Sequence, residues 1–337
     1  MIPWTETVPI PQIDFSPASG PCSAKRKSAV INGKIWFVYG SGRLFEKIVV
    51  FDIESYQVST INVPTPDGYC YECVTSEGDY LYILIRNRTD SFKLLTYDTK
   101  SLSILNTFNM NVDMIPMDIQ VIDDVLHFIS FGEGIPMTKI GLSRHFFVDK
   151  KLTADDQKIG NLIRNNNDLH LLTFNRKKLE VATIDENCVA GNTATNARIK
   201  WKGYYDGMFL TNGTMVTVMT NNVTSEIVVE TYDFENRTWQ QDMADDFFKY
   251  EDGVSVLAAE QIQDKIYIFT RLDGWHSQYE IRVLNIKPSL VEICLLNITK
   301  YVLSGEGSLE SIRNQLPFEL RCQLESMINS RVANFSS

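Results

Sequence analysis

"YDFENRTWQQ", residues 232 to 241, follows the apolar run "EIVVET" with a tyrosine and an aspartate, then a short polar stretch, then a tryptophan that opens a new strand. Aspartate favours such a turn because its carboxylate accepts hydrogen bonds from backbone amides a few residues on. Whether the pattern occurs once or recurs decides the fold, since a fixed period marks a repeat architecture.

It recurs. Short alternating apolar strands meet at polar turns in "SAVINGKIWFVYG", "CVTSEGDYLYILI", "DIQVIDDVLHFIS", "LIRNNNDLHLLTF", "MFLTNGTMVTVMT" and "LAAEQIQDKIYIF". Their turn residues, Gly33, Asp79, Asp124, Asp168, Gly213 and Asp264, stand 46, 45, 44, 45 and 51 residues apart. Asn-Gly at 32–33 and 212–213 suits tight hairpins, because both residues tolerate positive φ. A second beat follows each hairpin. An apolar strand ends in an acidic turn in "IVVFDIES", "LLTYDTKS", "FFVDKK", "VATIDEN" and "VETYDFEN", more weakly in "IRVLNIKP", and a further strand comes next. Four short strands in about 45 residues make the blade of a β-propeller, which buries its faces only by stacking on its neighbours.

Six units fill residues 22 to 300. The expected fold is therefore all-β: a six-bladed propeller of four-stranded blades over residues 1–302, with a short C-terminal helical tail over 303–337. Blade six is expected to own four strands, the last in "SLVEICLLNI". "ETVPIPQI" at 6–13 is also strand-like, with prolines suited to an edge, and the pattern leaves open which end closes the ring.

The 337 residues are 44% hydrophobic and carry a net charge of −10. An overall basic footprint for nucleic acid is missing, and no apolar run approaches the roughly 18 residues of a membrane span. Neither partner is expected. "MIPWTETVPIPQ" has neither the basic nor the apolar region of a signal peptide. The six cysteines, at 22, 70, 73, 188, 294 and 322, form no framework. A cytoplasmic or nuclear protein is expected. Six N-x-S/T sites, at Asn87, Asn212, Asn222, Asn236, Asn297 and Asn334, keep open a secreted or luminal alternative that binds glycans or acts as a hydrolase.

The beat "NGKIWFVYG … VVFD" in blade one and "YDFENRTW" in blade five resembles the Kelch repeat. Traces of its paired glycines stand in "YGSG" (39–42) and "FGEG" (131–134), and its tryptophan at Trp239. The resemblance covers nearly the whole ring and implies a propeller whose convergent loops bind protein segments.

Catalytic and metal chemistry is not signalled. His127 and His170 alternate with apolar neighbours inside second strands, as satisfied structural histidines do. Cys70 and Cys73 lack the second ligand pair of a zinc site, and "GSGRLF" lacks the elements of a phosphate loop. No cofactor and no enzymatic activity are expected. The loops that join second to third strands are basic, however. Arg43, Arg86, Arg88, Lys139, Arg144, Arg176, Lys177, Lys178 and Arg271 fall in them, with Trp275 and His276 at the tip in blade six. Acidic residues dominate the opposite turns: Asp52, Glu54, Asp79, Asp98, Asp124, Asp168, Asp185, Asp233 and Asp264. A basic rosette would take an acidic or phosphorylated segment, since arginine binds carboxylate or phosphate bidentately.

In the tail, Ser308 suits a helix cap and Pro317 a first helical position. Leu320, Leu324, Met327 and Ile328 form an apolar stripe. Leu309, Ile312, Leu316, Leu320, Leu324 and Met327 are the expected adaptor-docking residues. The order "SL…LP…L…L" weakly resembles part of a SOCS box, which implies an elongin- and cullin-type ubiquitin-ligase adaptor. The expected function is thus a non-catalytic protein-interaction module.

Overall fold

The structure, a computed structural model, describes residues 4–9, 28–41, 44–63, 68–87, 89, 91–110, 116–130, 135–142, 147–151, 159–165, 168–175, 178–185, 190–196, 205–210, 215–221, 226–234, 236–240, 254–263, 265–272, 278–285 and scattered positions from 294 to 325. Among them, 24 strands form six four-stranded antiparallel sheets. Strand β1 (Trp4–Pro9) opens the chain and joins the last blade. Blade one is β2 (Ser28–Ile31), β3 (Lys34–Ser41), β4 (Leu44–Asp52) and β5 (Gln57–Asn62). Blade two is β6 (Tyr69–Glu77), β7 (Tyr80–Asn87), β8 (Phe92–Asp98) and β9 (Ser103–Met110). Blade three is β10 (Pro116–Ile122), β11 (Val125–Ser130), β12 (Pro136–Gly141) and β13 (Phe147–Lys151). Blade four is β14 (Ile159–Asn165), β15 (Asp168–Asn175), β16 (Lys178–Ile184) and β17 (Ala190–Asn196). Blade five is β18 (Tyr205–Leu210), β19 (Met215–Asn221), β20 (Glu226–Asp233) and β21 (Thr238–Gln240), and blade six opens with β22 (Val254–Ile262), β23 (Lys265–Leu272) and β24 (Gln278–Asn285).

First strands of neighbouring blades pack on one another: β2 on β6, β6 on β10, β10 on β14, β18 on β22, and β22 back on β2. Blades four and five meet through β17 and β21. The first strands therefore line the axis and the chain closes into a six-bladed β-propeller.

Side-chain alternation explains why the second strands are apolar along their length. Successive residues face opposite sides of a strand, and in a blade both sides are covered. Ile35 and Phe37 of β3 pack with Tyr267, Phe269 and Ile281 of blade six. Trp36 and Val38 pack with Val74, Ile83 and Tyr97 of blade two. The next seams repeat the scheme: Cys73, Tyr82 and Leu84 meet Ile119, Leu126 and Phe128, and Ile129 and Met137 meet Leu162 and Leu171. Gly160 is small for a reason. A Cβ there would lie 3.2 Å from side-chain carbons of both Ile129 and Leu171.

The opening motif is a turn. Tyr232 and Trp239 oppose each other across β20 and β21, with ring centroids 5.1 Å apart. The Asp233 carboxylate accepts from the Asn236 amide at 2.9 Å and from its side chain at 2.7 Å. Asp52 and Asp98 hold the same turn in blades one and two, accepting from the amides of Ser55 and Lys100 respectively. Four residues after each aspartate, Tyr56, Leu102 and Arg237 adopt φ of 55°, 54° and 53°. The left-handed position, not a shared residue type, is what the three turns have in common. Asn32 and Gly33 take φ of 51° and 69°, as the Asn-Gly hairpin requires, and Asp123 and Asp124 do the same at 49° and 63°.

Two expectations are corrected. "SLVEICLLNI" is not the fourth strand of blade six: Cys294, Leu295, Ile298, Tyr301 and Val302 are helical. The fourth strand is β1, paired with β24 so that Val8 opposes Ile281 and Pro9 opposes Glu280. An apolar run this short reads equally well at either period. Here Leu295, Ile298 and Val302, at i, i+3 and i+7, pack with Ile312, Leu316, Leu320 and Leu324 in a helical cluster. In blade three, "FFVDKK" overlaps the fourth strand, β13, and the third is "PMTKIG", which lacks an aspartate turn.

Candidate functional site

Because strands alternate in direction, the hairpins joining first to second strands share one face of the ring with those joining third to fourth. The second-to-third connections open on the other face. Between the two faces runs an axis lined by first strands, and buried polar contacts lie there.

Among the described residues, three seams near the axis carry a buried tie. Ser28 Oγ donates to Glu260 Oε1 at 2.7 Å, joining blades one and six. Thr75 Oγ1 donates to Gln120 Oε1 at 2.9 Å, and Gln120 Nε2 to the Leu162 carbonyl at 3.3 Å, joining blades two, three and four. Asp118 is fully buried. Its carboxylate accepts from the amides of Ile119 and Leu162, both at 2.9 Å, and from Asn161 Nδ2 at 3.4 Å. Buried polar groups persist only when bonded, and these bonds hold blade to blade.

At the hairpin-turn mouth of the axis, Arg164 of blade four passes the Val121 carbonyl at 3.1 Å and reaches Glu77 of blade two at 3.2 Å. Glu77 also accepts from the amide of Asp123 at 2.9 Å. On the same face, Asn32 donates to Asp79, which also pairs with Lys100. Lys100 and then Asn32 hold the Asp79 carboxyl below its ordinary range. Asp52 is lowered to about 2, chiefly by the Ser55 amide and then Lys34. Asp98 is lowered by the Lys100 amide and the Ser101 hydroxyl. These aspartates are engaged in the turns that hold them.

On the loop face, Arg86 is near the end of β7 and its guanidinium Nε meets Glu72 Oε1 at 2.7 Å. Its side chain is 30% exposed while that of Glu72 is 5% exposed, so one end of the pair reaches water. Lys93 lies 4.6 Å above the Tyr69 ring centroid in the same blade. Asn87 folds the adjoining loop by accepting from the amides of Thr89 and Ser91. Cys70 Sγ donates to the Arg86 carbonyl at 3.2 Å, and Cys73 is buried in the apolar seam.

Lys139 is not in a loop. It lies within β12, opposite His127. Arg144 falls in the segment between β12 and β13, a third-to-fourth connection that begins and ends on the acidic face. Both shifts follow from the misread third strand of blade three. Lys178 begins β16, opposite Asn175. Arg271 lies in β23, opposite Ser255 and Tyr279, and its side chain lies outside the described residues. Arg43, Arg88, Arg144, Arg176, Lys177, Trp275, His276, Leu309 and Met327 also lie outside the described residues.

Of the tail stripe, Leu320 and Leu324 face inward. Leu324 is fully buried against Leu295, with Ile312, Leu316 and Leu320 partly buried around them. Phe318, 75% exposed, faces solvent instead. His127 and His170 are buried, yet His127 Nδ1 and His170 Nε2 have no hydrogen-bond partner among the described residues. They are therefore not the fully satisfied histidines that the sequence pattern implied. Among the described residues no three metal-ligating side chains cluster.

No family model matches the chain, and neither does any curated protein. Among solved structures it is similar to Kluyveromyces lactis Hsv2, at 10% identity and a TM-score of 0.44, over 76% of this chain and 71% of that one. It is also similar to a chain of the crystal structure of a mitotic checkpoint complex, at 11% identity and a TM-score of 0.48, over 86% and 96% of the two. The β-propeller assignment itself rests on the six sheets and their closed ring of seams.

Proposed function

We propose that this ring is a non-catalytic, Kelch-like interaction module that holds a protein segment on its loop face. The carrying observation is how the resolved polar groups divide. Those at the axis tie blades together (Ser28 to Glu260, Thr75 to Gln120, Asp118 to Leu162), whereas Arg86 and Lys93 present cationic ends on the loop face of blade two. Arg43, Arg88, Arg176 and Arg271 extend that basic surface in this reading, with Trp275 and His276 as an aromatic anchor for an acidic or phosphorylated segment. Arg144 is excluded by its connection.

A tail that docks an elongin- or cullin-type adaptor is the finer proposal. It must use outward residues such as Phe318, because Leu320 and Leu324 pack inside. A reducing, cytoplasmic setting is supported by Cys70, Cys73, Cys294 and Cys322 being free thiols.

The test replaces Arg43, Arg88, Arg176 and Arg271 together with alanine. Arg86 is left in place, because its removal would strand the buried Glu72 carboxylate. Quantitative affinity purification should show at least one partner falling about tenfold or more, with an unchanged melting temperature. An unchanged partner list with an intact melt would sink the loop-face reading.

A further inference from the structure

The third residue of each second strand occupies one repeated place in the ring: Trp36, Tyr82, His127, His170, Thr217 and Tyr267. At Trp36, Tyr82, His127, His170 and Tyr267 alternation turns it to the following blade. Trp36 packs in the seam of blades one and two, Tyr82 in that of blades two and three, and Tyr267 in that of blades six and one. The residues flanking His127, Leu126 and Phe128, pack on blade two, which turns His127 toward blade four. Leu169 and Leu171 pack on blade three, which turns His170 toward blade five. There its ring lies 4.6 Å from that of Phe234 in the blade-five turn. Blade four is therefore bounded on both sides by a buried imidazole where blades one, two and six have tryptophan or tyrosine.

We propose that blade four is an acid-sensitive segment of the ring: protonation of His127 and His170 loosens its seams with blades three and five and opens the propeller there.

The surroundings favour the neutral rings. Around His127 stand Lys139 on β12 and Arg164 on β14, both repelling an imidazolium, while Glu77 is already engaged with Arg164. Around His170 stand Thr183 on β16, Phe234, Arg237 of the blade-five turn, and Asp168 on its own strand, which alone favours the charge. Neither unpartnered ring nitrogen has an acceptor among the described residues for an added proton. Burial, followed by Lys139 and Arg164, brings His127 down to about 4, and burial lowers His170 against the pull of Asp168. The unfolded chain takes up these protons near pH 6.5 and the folded ring only at lower pH. Stability is thus full above about pH 6.5 and declines as pH falls toward 4. Between pH 7 and 5 the lowered aspartates of the turns stay ionised, so that window isolates the histidines.

The experiment compares the full chain with the double variant His127→Tyr/His170→Tyr, using the residue that blades two and six carry at this place. Melting is followed at pH 7 and pH 5. Hydrogen exchange, corrected for intrinsic rates, is read in peptides of β14–β17 against β2–β5. The native chain should lose melting temperature at pH 5, with His127 alone worth about 30-fold in the unfolding equilibrium. Exchange should rise in blade four first, and the double variant should abolish both effects. An equal drop in the variant, or exchange rising evenly around the ring, overturns the proposal. If the variant does not fold, imidazole proton NMR of the native chain decides: two of the four histidines must titrate well below 6.5, and four titrating near 6.5 overturn it.

Discussion

Between blades one and two the seam is apolar, filled by Trp36, Val38, Ile83, Ile85, Leu95 and Tyr97. Between blades three and four an apolar set (Ile129, Met137, Leu162 and Leu171) is joined by His127, Asp118, Asn161 and Arg164 in or beside the contact. The backbones are equivalent: each seam sets the second strand of one blade against the first strand of the next. What differs is how association is achieved. The apolar seam depends on removing area from water. The polar seam depends on completing hydrogen bonds that no single blade can make alone. The first tolerates small misalignment; the second penalises it, because every donor left open inside costs free energy.

The largest effect expected is in the apolar seam. Trp36→Ala should lower stability by about 3–5 kcal/mol, since a buried ring is lost and a cavity remains. Chemical denaturation would measure it, and a loss under 1 kcal/mol would mean that blades one and two do not depend on their contact.

Asp118→Ala should cost about 2–3 kcal/mol by leaving the Ile119 and Leu162 amides without their acceptor. Asp118→Asn, which keeps one oxygen acceptor, should recover part of this. If alanine and asparagine are equally harmful, charge rather than amide bonding holds the polar seam.

The smallest effect lies away from both seams. Leu102 is half-exposed at φ 54° in the turn after Asp98. Leu102→Gly should stabilise by about 0.5 kcal/mol, the relief of left-handed strain being partly offset by glycine's entropy. A loss of stability would show that Leu102 contributes packing as well as a turn.

Much of this could be read before any coordinates. The roughly 45-residue beat follows from the size of one blade, and Asp52, Asp98 and Asp233 announced their turns because an aspartate caps amides within its own few residues. The failures have two local causes. Blade three has no aspartate after its third strand, so the pattern there mistakes the fourth strand for the third and misplaces Lys139 and Arg144 with it. "LVEICLLNI" reads as a strand because nothing nearby distinguishes a short apolar strand from one side of a helix. Nor did any signal show that Arg86 would meet Glu72, or that His127 and His170 would flank one blade.

The sequence alone determined the β-strand content, the blade count and the chemistry of the turns, because each is written in residues within one hairpin of one another. Tertiary structure decided the rest. The last blade had an open edge at β24, and the strand able to satisfy its backbone groups was β1, at the other end of the chain. The segment after β24, released from that task, folded Leu295, Ile298 and Val302 onto Leu316, Leu320 and Leu324. Arg164 reached Glu77, 87 residues away, only because ring closure places blades two, three and four around a common axis, and no local pattern encodes that proximity.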